Sequence, residues 1–541
     1  MNGNRVFKTA LLAVLCFTSP RQGHSDEPLS AAGSDRPAVE AGGKARHVLL
    51  VVWDGLRPDL IRNETTPFLA KLAREGTFFA NHHSIYPTST EVNGTALATG
   101  CFPQRSGIIG NREYWPEIEP ARPVDTQDLK VIRKGDELTG GKYLAVPTIA
   151  EILQEAGKPV VVAGTKPVAW LMNRSPRQVP GTDIECVSVV DGKSLPEDSL
   201  ETVTAALDRY PREGSLPNTV ADGWTRRALT EVLWRKGVPP LSVLWLSEPD
   251  YSQHGFGIAS PTALGGLASS DAQLAAALAV LESKGVAAQT DVIVVSDHGF
   301  SSISEALDIK RALTTAGFPI HDRYTRAPQS GDILVNNLGG SIFFYVAEHD
   351  AAMIKRLVEF FQGSAFAGPI LTRDNVPGTF PLALAHIETA RAPDVVLTLR
   401  WTEEKNGADI PGTTISGGDR KPGQGTHATL SPYDVHNTCV AAGPDFRRGC
   451  RVEAPSSNVD IAPTVAWILG GHFPRGTDGR VLRDGLADYH EGSAPGPSRT
   501  ERTEATVDLA VGRWQQYLQT TSYDGETYID QGNATLVPAK H

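Results

Sequence analysis

Cysteine is scarce in this chain: five residues in 541, and no two of them form a Cys-x-x-Cys pair. That spacing rules out a cysteine-built zinc finger or ribbon. There is no basic excess either. Lysine and arginine number 51 against 62 aspartates and glutamates, a formal charge of −11, so a nucleic-acid polymer is not the expected partner. No stable membrane span is visible; the apolar stretch Ala10–Phe17 is too short for one. No internal repeat is visible, which excludes a repeat architecture. What remains is an ordinary globular balance, 40% apolar and 21% charged, in a chain long enough to bury a large core. Nothing in the sequence sets an oligomeric state.

The N-terminus carries Arg5 and Lys8, then Ala10–Phe17 (ALLAVLCF), then Gly23-His24-Ser25 before Asp26. This pattern predicts a signal peptide over residues 1–25 and a periplasmic or secreted protein. Residues 26–45, polar and rich in small side chains, are expected to be a disordered leader. Export would leave Cys101, Cys186, Cys439 and Cys450 in an oxidising compartment. Four cysteines allow three pairings. Cys439–Cys450 is the most local pair, and free buried cysteines are the other reading.

From Arg46 to Phe300, strand-like and helix-like segments alternate. Apolar runs at His47–Trp53, Lys158–Ala163, Leu241–Ser247 and Asp291–Ser296 are separated by helical patterns at Thr66–Glu75, Val146–Ala156, Asn218–Arg235 and Ser270–Lys284. Such alternation predicts an α/β fold with a mostly parallel sheet. Residues 46–300 and 424–490 form the expected core. Residues 301–423 change texture and read as a smaller α+β cap insertion, ending in a Gly-rich loop over 410–424. Residues 491–541 read as a polar tail with one helix near Glu504–Gln519.

Three aspartates follow three of the apolar runs: Asp54, Asp250 and Asp297. His254 lies four residues after Asp250, on one side of a helical turn, and His298 follows Asp297 directly. Open parallel sheets bind ligands at the carboxyl ends of their strands, so this placement points to a site for more than one metal ion. His427, after the Gly-rich loop, is a further ligand candidate. Thr90 in Tyr86-Pro87-Thr88-Ser89-Thr90-Glu91 opens a helical pattern that ends at Gly100. Its N-terminal position suits a phosphate or sulfate group, although a threonine there also serves as a plain cap.

The stretches VVWDGLRPD (51–59), YPTSTEVNGTALATGCFPQRSGIIGN (86–111), EPDYSQHG (248–255), VVSDHGF (294–300) and GTHATLSPYDVHNTCVAAGPDF (425–446) resemble the alkaline phosphatase superfamily. Within it they look like the nucleotide pyrophosphatase/phosphodiesterase group. The resemblance implies a three-layer sandwich around a central, mostly parallel sheet. It implies two Zn2+ ions, one on Asp250, His254 and His427, the other on Asp54, Asp297, His298 and the Thr90 oxygen. Thr90, nine residues before Thr99-Gly100, takes the family's nucleophile position, and Asn111 takes that of the phosphoryl-binding asparagine. The implied reaction is hydrolysis of a small-molecule phosphate ester through a phosphothreonine intermediate, diester or pyrophosphate preferred.

Three residues bear on the alternatives. Glu91 stands where nucleotide-cleaving relatives carry an aromatic side chain. Lys166 stands where monoester-cleaving relatives bind extra phosphate oxygens, but Val168 replaces the companion arginine, and only Arg174 is nearby to substitute. Glu91 and Lys166 are therefore the candidate substrate-binding residues, and phosphate monoester hydrolysis is the second reading. Cys101-Phe102-Pro103-Gln104-Arg105 matches the C-x-P-x-R pattern of sulfatases, but Cys101 follows the Thr-Gly pair instead of preceding it. Sulfatase activity and a non-catalytic metal-binding scaffold are distant readings.

Overall fold

The computed structural model describes residues 42–212, 214–489 and 496–539. The expected signal peptide and most of the expected leader lie outside these residues. A nine-stranded sheet forms the centre. Its strands are β1 (His47–Trp53), β2 (Thr77–Phe79), β3 (Val160–Gly164), β4 (Val187–Val190), β5 (Lys193–Leu195), β6 (Leu241–Leu246), β7 (Thr290–Val295), β8 (Cys439–Ala442) and β9 (Cys450–Val452). They lie in the order β9-β2-β8-β7-β1-β6-β3-β4-β5. Pairings from β4 through β3, β6 and β1 to β7 are all parallel. Strands β5 and β8 run against their neighbours.

β1 shows why the sheet is covered on both faces. Val48, Leu50 and Val52 join one apolar core, and Leu49, Val51 and Trp53 join the other. A run without a polar alternate suits a strand buried on both sides. The Thr90–Thr99 and Ile461–Leu469 helices pack on the first face, and Pro261–Ser283 packs on the second. That last helix begins earlier than its apolar pattern suggested, because the Ser260 side chain caps it and Pro261 suits a first-turn position. Among the described residues it alone is long and apolar enough to cross a membrane. Its Leu267, Leu274 and Leu281 are buried against the sheet, as in a core helix of a globular protein.

Between β7 and β8 lies a six-stranded sheet that includes Ile333–Asn337, Ser341–Val346, Ala367–Thr372 and Val395–Leu399, with the helix Ala351–Gln362 on it. The helix expected near Glu504–Gln519 does not form. Arg499–Leu509, Gly512–Tyr523 and Glu526–Pro538 make a three-stranded antiparallel sheet instead. Burial along Gly512–Tyr523 alternates, with Trp514, Gln516 and Leu518 inward. Thr503, Thr506, Val507, Thr520 and Thr521 are β-branched and favour a pleated surface over a helix. The Gln516 side chain pairs with both backbone groups of Ile370, at 2.8 and 3.1 Å, which ties this sheet to the insertion.

All four described cysteines are free. Cys439 and Cys450 sit on β8 and β9, with β2 between them. Two strand spacings are about 9.6 Å, too far for a disulfide. The other reading, free cysteines, is the one observed.

Asp291 opens β7 fully buried; its Oδ1 accepts from Asp445 N–H at 3.2 Å, while Oδ2 has no hydrogen-bond partner. Burial first, and the Asp445 carboxylate second, push its pKa up to about 8. A carboxyl group raised on folding contributes stability in acid that is lost as pH rises, here between its unfolded value near 4 and about 8. Asp291→Asn is therefore expected to reduce the fall in Tm between pH 5 and pH 8.5 by a few degrees. Parallel Tm curves for the two proteins would contradict this.

Candidate active site

The parallel register brings the chemistry-bearing residues together. Val52 pairs with Val295 and Trp53 with Leu246, so β1, β6 and β7 end side by side. Asp54 follows β1, and its backbone O accepts from Asp250 N at 3.1 Å. Asp250 begins the helix Asp250–Phe256, whose single turn carries His254 back toward it. Asp297 and His298 follow β7. Asp297 Oδ1 accepts from the backbone N–H groups of Gly55 and His298, both at 3.0 Å. His427 arrives on the segment after Gly425–Thr426.

Two groups of these side chains are placed to hold cations. Ligand atoms of Asp250, His254 and His427 lie within 4.8 Å of one another, and so do those of Asp54, Asp250 and His298. Asp250 belongs to both groups. Asp297 adjoins the second, with Oδ2 3.3 Å from His298 Nε2. All three histidines are oriented alike. The Nδ1 atoms of His254, His298 and His427 each lie 2.9 Å from a backbone carbonyl, of Gly425, Gly299 and Thr88 respectively. Donation from Nδ1–H leaves Nε2 with its lone pair toward the carboxylates, the arrangement of metal-ligating histidine. Asp250 Oδ1 and Asp297 Oδ2 are buried and accept no hydrogen bond. Orphaned carboxylate oxygens facing imidazole lone pairs fit a divalent cation and fit little else.

Electrostatics agree. Asp54, Asp250 and Asp297 are all buried, and burial raises Asp54 well above the carboxylate range, with Asp297 adding to it. Burial likewise takes Asp297 up to about 6. Asp250 is held well below its ordinary value, because Lys166 and His254 outweigh the burial cost. His427 is driven well down by burial, then by His298 and His254, so it is neutral and able to ligate. Lys166 is buried, with Nζ 2.9 Å from Asp54 Oδ1 and 2.8 Å from Asp250 Oδ2. Lys166 is thus a single ammonium among three buried acids, and it does not prevent the rise at Asp54 and Asp297.

Thr90 is the first residue of the buried helix Thr90–Thr99, and its Oγ1 lies 3.1 Å from His298 Nε2. Its N–H is among those that helix geometry leaves without an intrahelical acceptor. Asn111 Oδ1 accepts from Glu91 N–H at 3.2 Å, which leaves Asn111 Nδ2 as a donor beside Thr90. Glu91 is buried with Oε2 unpaired, and burial, then Asp125, raises its pKa well above the usual range. Burial thus disfavours the charged form of this acid, which follows Thr90 directly. Arg174 does not stand in for the missing arginine: it is held by Asp136 at 3.3 Å, Glu151 at 3.4 Å and Gly141 O at 3.0 Å. Val168 packs beneath the Thr90–Thr99 helix, against Gly94. Cys101 lies past the far end of that ten-residue helix, about 15 Å from Thr90 along its axis.

Other residues at the site carried no usable sequence signal. Trp245 Nε1 donates to Asp54 Oδ2 at 2.9 Å, yet in LSVLWLS it reads as core. Asn93 and Asn458 read as ordinary polar positions. Arg420 lies on the Gly-rich loop, close enough to Asp250 and His254 to influence the charge state of each. That loop had a signal in its glycines; the arginine had none.

Fold and site together define an α/β protein with metal-ligating side chains gathered at the carboxyl ends of a mostly parallel sheet. The type I phosphodiesterase / nucleotide pyrophosphatase family profile matches residues 48–407, and the chain belongs to that family. Human ectonucleotide pyrophosphatase/phosphodiesterase family member 1 is 24% identical over 272 residues, 49% of this chain and 24% of that protein. The venom phosphodiesterase of Macrovipera lebetinus is 24% identical over 280 residues, 50% of this chain and 28% of that enzyme. The chain thus matches about a quarter of the length of these relatives. The structure of human family member 5 superposes with a TM-score of 0.55 at 18% identity, over 82% of this chain and 100% of that one. An inactive murine family member 5 in complex with AMP gives a TM-score of 0.56, with the same identity and coverage. The likeness to these structures shows the shared alkaline-phosphatase-like fold.

Proposed function

We propose that this chain is an exported phosphoric ester hydrolase that cleaves diester or pyrophosphate bonds ahead of monoesters. Thr90 is its nucleophile. Asp250, His254 and His427 would hold one zinc ion, and Asp54, Asp297 and His298, with the Thr90 oxygen, a second. The observation that carries the reading is the Thr90 oxygen, 3.1 Å from His298 Nε2 of the second ligand group, at a buried helix N-terminus. Bound zinc would supply Lewis acidity, lowering the cost of negative charge on the attacking and leaving oxygens.

The chain's own groups do the rest. Thr90 Oγ1 loses its proton to solvent and attacks phosphorus in line, the bond from phosphorus to the leaving alcohol or phosphate oxygen breaks, and water then cleaves the phosphothreonine, releasing the phosphoryl group and restoring the Thr90 hydroxyl. The Thr90 N–H and Asn111 Nδ2 donate to the equatorial phosphoryl oxygens, where charge builds in the transition state. The Glu91 side chain offers the substrate a polar wall in place of an aromatic face. Export is supported by the N-terminal sequence and by the relatives, whose names mark them as ecto- and venom enzymes.

Lys166 favours a second reading, phosphate monoester hydrolysis, because its ammonium reaches the same carboxylates and could turn to extra phosphate oxygens. Comparing kcat/KM on bis-p-nitrophenyl phosphate and p-nitrophenyl phosphate, with zinc present, separates the two. We expect the diester to be preferred. A monoester preference of about a hundredfold, close to 3 kcal/mol of transition-state discrimination, would reverse the assignment.

A further inference from the structure

Asn458 belongs to neither ligand group. It opens the short turn Asn458–Asp460 and is fully buried. Its Nδ2 donates to Asp297 O at 2.7 Å and to Asn93 Oδ1 at 2.9 Å. Its Oδ1 lies 3.1 Å from His82 Nε2 and accepts from Asn437 Nδ2 at 3.3 Å. Asn437 Nδ2 also donates to Ser296 O.

Asn93 is saturated in the same way. Its Oδ1 accepts from Ile85 N at 2.7 Å as well as from Asn458. Its Nδ2 lies 3.0 Å from Ile85 O, 3.3 Å from Pro87 O and 3.1 Å from Ser89 O. One amide therefore grips the turn that ends on Thr90, the other grips the backbone of Asp297, and the two are bonded to each other.

The positions gripped are those that regular structure leaves loose. Pairing between β7 and β8 ends at Val295 and Cys439, two residues short of Asp297. Ser89, at the N-cap, makes no side-chain capping bond, so Asn93 fixes the entry to the helix.

We infer that Asn93 and Asn458 are positioning residues for phosphoryl transfer, a two-amide clamp that sets the Thr90 oxygen against the Asp297–His298 pair. Neither touches the reacting atoms; both act through Thr90 and Asp297. The inference rests on the reading of Thr90 as nucleophile. Displacements of about 1 Å at a reacting pair cost on the order of a hundredfold in rate, so backbone hydrogen bonds at this distance from the chemistry matter.

The test uses full-length zinc-loaded enzyme carrying Asn93→Ala, Asn458→Ala or both, with kcat, KM, bound zinc and Tm measured on the two nitrophenyl esters. Each single variant is expected to lose roughly 30- to 100-fold in kcat. KM should stay within about twofold and bound zinc should be unchanged. The loss should be the same factor on diester and monoester, since alignment of the nucleophile is common to both. The double variant should lose no more than about threefold beyond the worse single, because the second change breaks a clamp already open.

Singles that keep kcat within about threefold, losses that multiply, or losses that track missing zinc would each overturn the clamp. If the alanine variants fail to fold, Asn93→Ser and Asn458→Ser retain a small hydroxyl donor and are scored by the same criteria. Thr90→Ala is run beside them. An active Thr90→Ala enzyme defeats the nucleophile reading; an inactive one with wild-type asparagine variants defeats only the clamp.

Discussion

Thr90→Ala is expected to lower phosphodiester turnover by more than about a thousandfold, a loss of roughly 4 kcal/mol in transition-state stabilisation or more. The change removes one hydroxyl and one methyl group from a side chain whose hydroxyl is bonded to His298. The ligand groups, the Nδ1 contacts of the three histidines and the packing of the Thr90–Thr99 helix do not depend on it. The variant should fold, keep its zinc through the aspartate and histidine groups that remain, and still bind a phosphate ester. Rapid-quench detection of a phosphoenzyme, present in the parent and missing in the variant, is the direct check. Near-normal turnover by the variant would remove Thr90 from the chemistry, whatever the metal content.

Removing the metals should be as damaging. A chelated and desalted enzyme is expected to lose at least about a thousandfold in activity and to recover with two equivalents of zinc per chain. The two groups of ligands should respond separately: His427→Ala should reduce the stoichiometry from two to one by emptying the Asp250–His254 group. The cations should also hold the fold. Ligand present at a hundred times its Kd stabilises by about 2.7 kcal/mol per site, so Tm should rise with zinc concentration. A chelated enzyme that kept full activity, with zinc verified absent, would refute the two-ion reading. So would a His427→Ala protein that still bound two ions.

Much of the site could be seen in the sequence because strand ends are simple objects. HVLLVVW, LSVLWLS and DVIVVS are mostly apolar with no sustained alternation, so they are buried on both faces, and a polar residue just past such a run sits at the edge of the sheet. Asp54, Asp250 and Asp297 follow from that. The 250–254 spacing follows from one helical turn. The partners of these residues do not follow. Trp245 is hidden inside an apolar run, and its single N–H decides that it contacts Asp54. Arg174 looked near in sequence, yet Asp136 and Glu151 hold it elsewhere. Glu91 was legible as an acid, but the burial and the Asp125 neighbour that raise its pKa were not. The last forty residues misled for a related reason. Their polar surface face obscured the alternation at Trp514, Gln516 and Leu518, which becomes evident only once the insertion is there to receive it.

That terminal sheet has a bearing on the order in which the molecule comes together. Gly532 N–H donates to Leu430 O at 2.8 Å, and Gly532 O accepts from Trp401 Nε1 at 2.7 Å. Leu430 is three residues beyond His427. The segment that carries one candidate metal ligand is therefore fastened by the strand Glu526–Pro538, which emerges after it during synthesis. Asp54, by contrast, is among the first residues of the fold to appear. A chain made from one end to the other therefore has Asp54 in place long before the strand that secures the His427 segment is there to do so.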